Sequence, residues 1–132
     1  MDDKVRAFLE EYHGAVMVTL RSDGTPHVAR VGVGLVGGRL WSSGTKGRVR
    51  TGHLRRDPRA TLFVFDPKDA WHWLALETVV TIYDGPDAVD RNLALYRVLA
   101  GEPDDIDEYR QAMVDEQRLI YEFEITRAYG SY

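Results

Sequence analysis

Apolar and polar positions along this chain repeat with two different periods, and each change of period marks an element. Helical spacing comes first: Val5, Phe8, Leu9 and Tyr12 share one face of a predicted helix over Asp2–His13, with Glu10 and Glu11 outward and Gly14 as its stop. A mostly apolar run, Ala15–Leu20, reads as a strand. Asp23-Gly24 within Ser22–Thr25 is a strong hairpin signal, so Pro26–Val36 is the return strand, with Pro26 where its missing N–H costs least. Gly32 and Gly34 leave two gaps on one side of it. Either the strand bends there as part of a barrel, or a flat ligand approaches the backbone.

Gly37-Gly38 is a second tight turn. Leu40, Trp41 and Ser42 read as the end of a strand, and Ser43-Gly44-Thr45 as a turn in which Thr45 caps a helix over Lys46–Arg56. Asp57-Pro58 closes that helix, because the residue before proline is pushed out of the helical region. Alternation resumes in Arg59–Phe65, turns at Asp66–Asp69, and continues through Ala70–Tyr83. There Trp71, Trp73, Ala75 and Glu77 share one face, opposite His72, Leu74, Leu76 and Thr78. Two helices follow. Ala88–Ala100 has Val89, Leu93, Tyr96 and Leu99 or Ala100 at core spacing, and Asp105–Gln117 has Ile106, Tyr109, Ala112 and Met113. Arg118–Arg127 is a cleanly alternating last strand, with Leu119, Tyr121, Phe123 and Ile125 inward.

Six antiparallel strands joined mostly by hairpins, with flanking helices, predict a mainly β (α+β) split β-barrel, because closure removes exposed edges. At 132 residues the expectation is one domain spanning 1–132. Hydrophobic residues at 44% and charged residues at 29% exclude a disordered chain, and the absence of cysteine excludes a disulfide framework or thiolate metal site. No apolar run is long enough for a membrane span, and Met1-Asp2-Asp3-Lys4 is no secretory signal, so the expected location is cytoplasmic.

Charge changes the picture most. The chain carries −4 overall, yet Arg39–Arg59 holds seven of its seventeen Lys and Arg residues and one acid, Asp57. A strand running into a small-residue turn and a helix start, with Lys and Arg nearby, is a phosphate or carboxylate site. A solvated basic helix is the plainer alternative. The acidic remainder argues against a nucleic-acid partner, since a duplex needs a broader basic footprint.

Standard catalytic arrangements are missing: there is no Walker loop, zinc-protease helix, Gly-x-Ser-x-Gly elbow or Rossmann fingerprint. His27, His53 and His72 fall on three elements and suggest no metal site. Trp71 and Trp73 are either walls of a flat slot, with Gly32 and Gly34, or ordinary packing residues. Glu77, amid apolar neighbours, is either a tuned acid or, more simply, an exposed or paired strand residue.

A larger pattern is present. Asp23-Gly24-Thr25-Pro26-His27-Val28, a strand into a basic helix, Leu54-Arg55-Arg56-Asp57-Pro58-Arg59-Ala60, and Trp73-Leu74-Ala75-Leu76-Glu77 occur in that order. Together they resemble the split-barrel pyridoxamine 5′-phosphate oxidase-like flavoproteins, and more narrowly their small deazaflavin (coenzyme F420)-dependent oxidoreductases. The resemblance implies a homodimer with cofactor sites between subunits, a small-molecule substrate and hydride transfer. It places the cofactor phosphate near Ser42, Ser43, Thr45 and Lys46, with Arg48, Arg50, Thr51 and Trp73 as further candidate cofactor contacts. Arg50 stands where the family usually has Lys, His53 where it often has Asn, and Thr78 where Gly often follows the Trp-Leu-x-Leu-Glu pattern. FMN is the alternative cofactor, and a carrier that binds without turnover the alternative role. True pyridoxamine-phosphate oxidases carry a C-terminal Arg-Leu-x-Pro motif that Tyr129-Gly130-Ser131-Tyr132 lacks. The residues name no catalytic acid; His27, His53 and Tyr83 qualify only by polarity.

Overall fold

The computed structural model describes residues 1–132. In chain order it contains α1 (Asp3–Glu11), β1 (Gly14–Leu20), β2 (Pro26–Gly32), β3 (Gly34–Val36), β4 (Arg39–Thr45), α2 (Val49–Arg56), β5 (Arg59–Asp66), β6 (Asp69–Tyr83), α3 (Ala88–Ala100), α4 (Ile106–Asp115) and β7 (Arg118–Ser131). The seven strands form one antiparallel sheet in the order β2-β1-β5-β6-β7-β4-β3. There is one strand more than the pattern predicted, because the expected Pro26–Val36 strand is two. Val33 separates β2, which pairs with β1, from β3, which pairs with β4. The two edge strands are thus consecutive halves of one bent segment, and the sheet curls into a split barrel.

That bend costs ladder hydrogen bonds, and two side chains and one backbone N–H replace them. The Ser42 hydroxyl donates to the Gly32 carbonyl at 2.7 Å, the Val33 N–H donates to the His13 carbonyl at 2.8 Å, and His13 Nδ1 donates to the Val33 carbonyl at 3.0 Å. The glycine gaps are filled by protein. A Cβ on Gly34 would lie 3.1 Å from Val98 and 3.2 Å from Leu99 of α3. Of the two sequence readings the barrel bend is the observed one, and Gly34 is not a ligand wall.

Inward residues of the strands, among them Met17, Leu62, Val64, Leu74, Leu76, Leu119 and Tyr121, make the core. Helix α1, capped by the Asp2 carboxylate on the Lys4 and Val5 N–H groups, adds Val5, Phe8 and Leu9 to it. Each such side chain contributes roughly 1.5–3 kcal/mol of burial. A second cluster joins Trp41 and Ile120 to Leu95 of α3. Leu95 was not among the α3 positions expected from spacing, and Ile120, expected outward, is buried, because α3 covers that face of β4 and β7.

Strand β7 runs four residues past its expected end to stay paired with β6. Glu77 pairs with Arg127 and Thr78 with Ile125, leaving Thr126 as the extra residue of a bulge. The Thr126 hydroxyl donates to the Glu77 carbonyl at 3.1 Å. No helix is long and apolar enough to cross a membrane.

Candidate functional site

Strand β4 does not end at Ser42. Ser42, Ser43, Gly44 and Thr45 all pair with β7, opposite Tyr121, Ile120, Leu119 and Arg118, so the expected turn is strand. Helix α2 accordingly starts at Val49 rather than Lys46, with Arg48 at its N-cap and no side-chain cap; Thr45 does not cap it. Lys46 and Gly47 form the turn. The reason lies in the ladder: staying paired with β7 satisfies more backbone groups than starting a helix three residues earlier.

The small residues of this stretch then find partners inside the protein. Ser42 holds the bend at Gly32, as above. The Ser43 hydroxyl donates to the Asn92 carboxamide oxygen on α3 at 2.5 Å. The Thr51 hydroxyl donates to the Thr45 carbonyl at 2.8 Å and also meets the Tyr121 hydroxyl. Ser42 and Thr51 are buried.

The bases sort into two groups. Arg39 pairs with Glu122 at 3.4 Å, Arg55 with Asp84 at 2.7 Å, and Arg59 with Asp57 at 2.8 Å. Beside Arg59, the Asp57 carboxyl is pulled down to about 2. Arg56 donates to the Leu20 carbonyl. Lys46, Arg48 and Arg50 have no carboxylate partner, and all three stand at the start of α2. Positive charge there opposes the helix dipole, at about 0.3–1 kcal/mol per group. Burial lowers the Arg50 pKa, neighbouring Arg48 and Arg118 lower it further, and the Tyr121 hydroxyl works against them. Arg50 Nε is buried without a hydrogen-bond partner. An uncapped helix start with three unpaired cations and an orphan N–H fits an anionic group, such as a phosphate.

Trp73 is not part of this cluster. It pairs with Ser131, whereas Tyr121 pairs with Ile82, ten residues or roughly 30 Å of strand away. Within one chain the candidates therefore divide into a group at the α2 start and Trp73 alone. Trp73 lies on the outer face of the sheet, stacked on Phe63 at 5.3 Å and edge-on to Tyr129 at 6.3 Å. Val28, Phe63, Trp71 and Tyr129 are exposed large apolar residues, Trp71 at 82%.

Two features escaped the pattern. His27 and His53, on different elements, meet with ring centres 5.1 Å apart, and His53 Nδ1 lies 2.9 Å from the Thr19 hydroxyl. Burial lowers the His53 pKa, helped by His27, Arg56 and Arg21. Opposite alternation of β1 and β2 against α2 brings these together, and no local spacing records it. The second is Glu122, which accepts from Trp41 Nε1 at 2.8 Å and the Tyr83 hydroxyl at 3.1 Å. Burial alone would raise its pKa, but these donors and Arg39 hold it below the usual carboxylate range.

The fold is a small antiparallel barrel that presents an unpaired cationic cluster beside its fourth strand. The chain belongs to the pyridoxamine 5′-phosphate oxidase family, whose model matches residues 1–132. It is 28% identical over 137 residues to a Mycobacterium tuberculosis protein named F420H(2)-dependent biliverdin reductase, covering 99% of this chain and 88% of that one. Among solved structures it resembles a conserved hypothetical protein of Mycobacterium tuberculosis, with TM-score 0.82, 20% identity and coverage of 97% and 82%. It also resembles a structure named F420 Reductase, with TM-score 0.77, 21% identity and 98% of each chain covered.

Proposed function

We propose that this protein is an F420-dependent oxidoreductase that transfers a hydride between the deazaflavin and a small organic acceptor. The observation that carries the reading is the trio Lys46, Arg48 and Arg50, left without carboxylates at an uncapped helix start. The names of the biliverdin reductase relative and the F420 reductase structure support the same cofactor class. Arg50 and its neighbours would hold the cofactor's phosphodiester or the carboxylates of its tail, by charge-assisted hydrogen bonds.

When bound, reduced F420 supplies the hydride. The chain's own share is to fix the anionic tail and to exclude water from the ring. Proton delivery falls to solvent in this reading. The Tyr83 hydroxyl is engaged with Glu122 and His53 with Thr19, so neither is idle for transfer. The exposed apolar face around Phe63, Trp73 and Tyr129 is the surface on which a second copy would dock, bringing Trp73 of one subunit toward the cationic cluster of the other.

The test is a titration with oxidised and reduced F420, followed by anaerobic oxidation of the reduced form with quinones, enones and tetrapyrroles. Binding in the micromolar range usual for metabolite sites, together with turnover, is expected. Failure to bind F420 ends the reading. A flavin spectrum that survives dialysis moves it to FMN, and tight binding without turnover moves it to a carrier.

A further inference from the structure

Gln117 is the one residue other than glycine with a positive φ, at 53°. It stands between α4 and β7, where the chain turns back into the sheet. A left-handed backbone is costly for a residue with a side chain, and glycine is the usual choice there. Ending α4 accounts for part of this. The Gln117 N–H donates to the Val114 carbonyl at 3.1 Å, and the Glu116 N–H to that of Ala112 at 2.9 Å. The same turn has a second result. It aims the Gln117 carbonyl at the Lys46 N–H, 3.1 Å away, one step beyond the last β4–β7 pair, Thr45 and Arg118.

That bond anchors the start of the cationic cluster. Lys46 and Gly47 make the turn between β4 and α2. On either side of Gly47 the backbone is tied down: the Lys46 N–H by Gln117, and the Arg48 N–H by the Thr45 carbonyl at 3.2 Å. The Gly47 N–H between them donates to no protein acceptor, and a Cβ on Gly47 would meet no atom within 4 Å. Two held amides thus frame one free amide. Lys46 and Arg48 flank it, and neither has a carboxylate partner. Without the Gln117 carbonyl, the Lys46 side of this turn has nothing to hold it.

We propose that Gln117 is a positioning residue of the cationic cluster: its left-handed backbone holds the Lys46 N–H and so sets the turn from which the Lys46 side chain and the free Gly47 N–H meet an anionic oxygen. The inference rests on the cofactor reading above for the identity of the anion, but not for its chemistry, which a phosphate and a tail carboxylate share. The role belongs to the Gln117 main chain; its exposed side chain takes no part. A turn ordered beforehand loses less freedom on binding. Releasing it should weaken binding roughly 3- to 10-fold.

Two measurements on the full chain test this. Amide hydrogen exchange in the unaltered protein should be slow at Lys46 and fast at Gly47; equally fast exchange at both overturns the proposal without any variant. Dissociation constants for F420, pyrophosphate and triglutamate are then compared across Gln117→Val, Gln117→Gly, Lys46→Ala and the Lys46→Ala, Gln117→Val pair, alongside the urea midpoint of unfolding. A β-branched residue resists a positive φ, whereas glycine adopts it freely. Gln117→Val should therefore weaken F420, and whichever small anion the cluster takes, by the stated factor. Gln117→Gly should bind as the wild type does, with a midpoint no lower. In the pair, the two losses should fall short of their sum, because both changes act on one contact. A Gln117→Val variant with a lower midpoint but unchanged dissociation constants would make Gln117 a helix stop and nothing more. Full additivity in the pair, or a Gln117→Gly variant as weak as Gln117→Val, would also sink the proposal. Pyrophosphate or triglutamate binding without F420 binding would remove the cofactor reading and leave this one standing. No binding of any of the three removes both.

Discussion

The Tyr121 hydroxyl occupies the space that a side chain at Gly44 would need. The two residues belong to neighbouring strands, β7 and β4, and their fit lets a core tyrosine reach α2. Gly44→Ala should therefore overpack the barrel and destabilise it by about 1–3 kcal/mol, read as a lower urea midpoint with an unchanged slope. A midpoint within error of wild type would show that Tyr121 can move aside freely.

Arg50 and Arg55 separate binding from solvation. Arg50 lacks a carboxylate, whereas Arg55 is committed to Asp84 at 2.7 Å. Arg50→Ala should weaken F420 binding by about 1.5–3 kcal/mol, the usual worth of a charge-assisted contact. Arg55→Ala should change it by less than ~0.5 kcal/mol, because its exposed pair contributes little. Calorimetric titration of both variants reverses the assignment if Arg55 is the costlier.

Arg48 is a poor N-cap kept in place. Arg48→Asp supplies a side-chain acceptor for the first turn and a favourable charge at the helix start, so stability should rise by about 1 kcal/mol. The same change should weaken F420 binding, since it puts a carboxylate among the cations. A variant that gains stability and keeps its affinity would mean Arg48 plays no part in the site.

His53 makes stability depend on pH. Its folded pKa lies below the ordinary imidazole value of about 6.5, so the unfolded chain binds the proton more readily. The contribution is present in full above about pH 6.5 and is lost as pH falls toward the folded pKa. The facing charges, Arg21, Arg56 and His27, all oppose protonation. The urea midpoint should drop from about pH 7.5 to about pH 5 in the wild type. The drop should be shallower in His53→Asn.

The outer aromatic face is expected to bury itself against a second copy. Phe63→Glu places a charge beside Trp73 on that face and should give monomers in sedimentation velocity, with the helical and sheet content unchanged. A wild-type chain that sediments as a monomer removes the shared-site arrangement.

Much of the fold was legible in the chain because its signals are local. The Asp23-Gly24 and Gly37-Gly38 turns have the positive φ angles such sequences favour, at +85° for Gly24 and +56° and +79° for the pair. The bounds of α3, Ala88–Ala100, are the expected ones. The errors cluster where long-range pairing overrode local preference. Ser43-Gly44-Thr45 reads as a turn by composition, yet β7 draws it into the sheet. Gly34 allowed either a bend or a ligand approach, and only the packing of Val98 and Leu99 from α3 decided for the bend.

By itself, the amino-acid order determined the alternating strands, the turn chemistry, the concentration of charge between Arg39 and Arg59, and a family pattern spread along the chain. It could do so because periodicity, glycine at positive φ and net charge are properties of short segments. Only the tertiary structure decided which bases are free. Arg39, Arg55 and Arg59 spend their charge on Glu122, Asp84 and Asp57, while Arg50 has no carboxylate and its buried Nε has no partner. Ion pairs and hydrogen bonds act over a few ångströms of space, and folding, not sequence distance, sets which groups come that close.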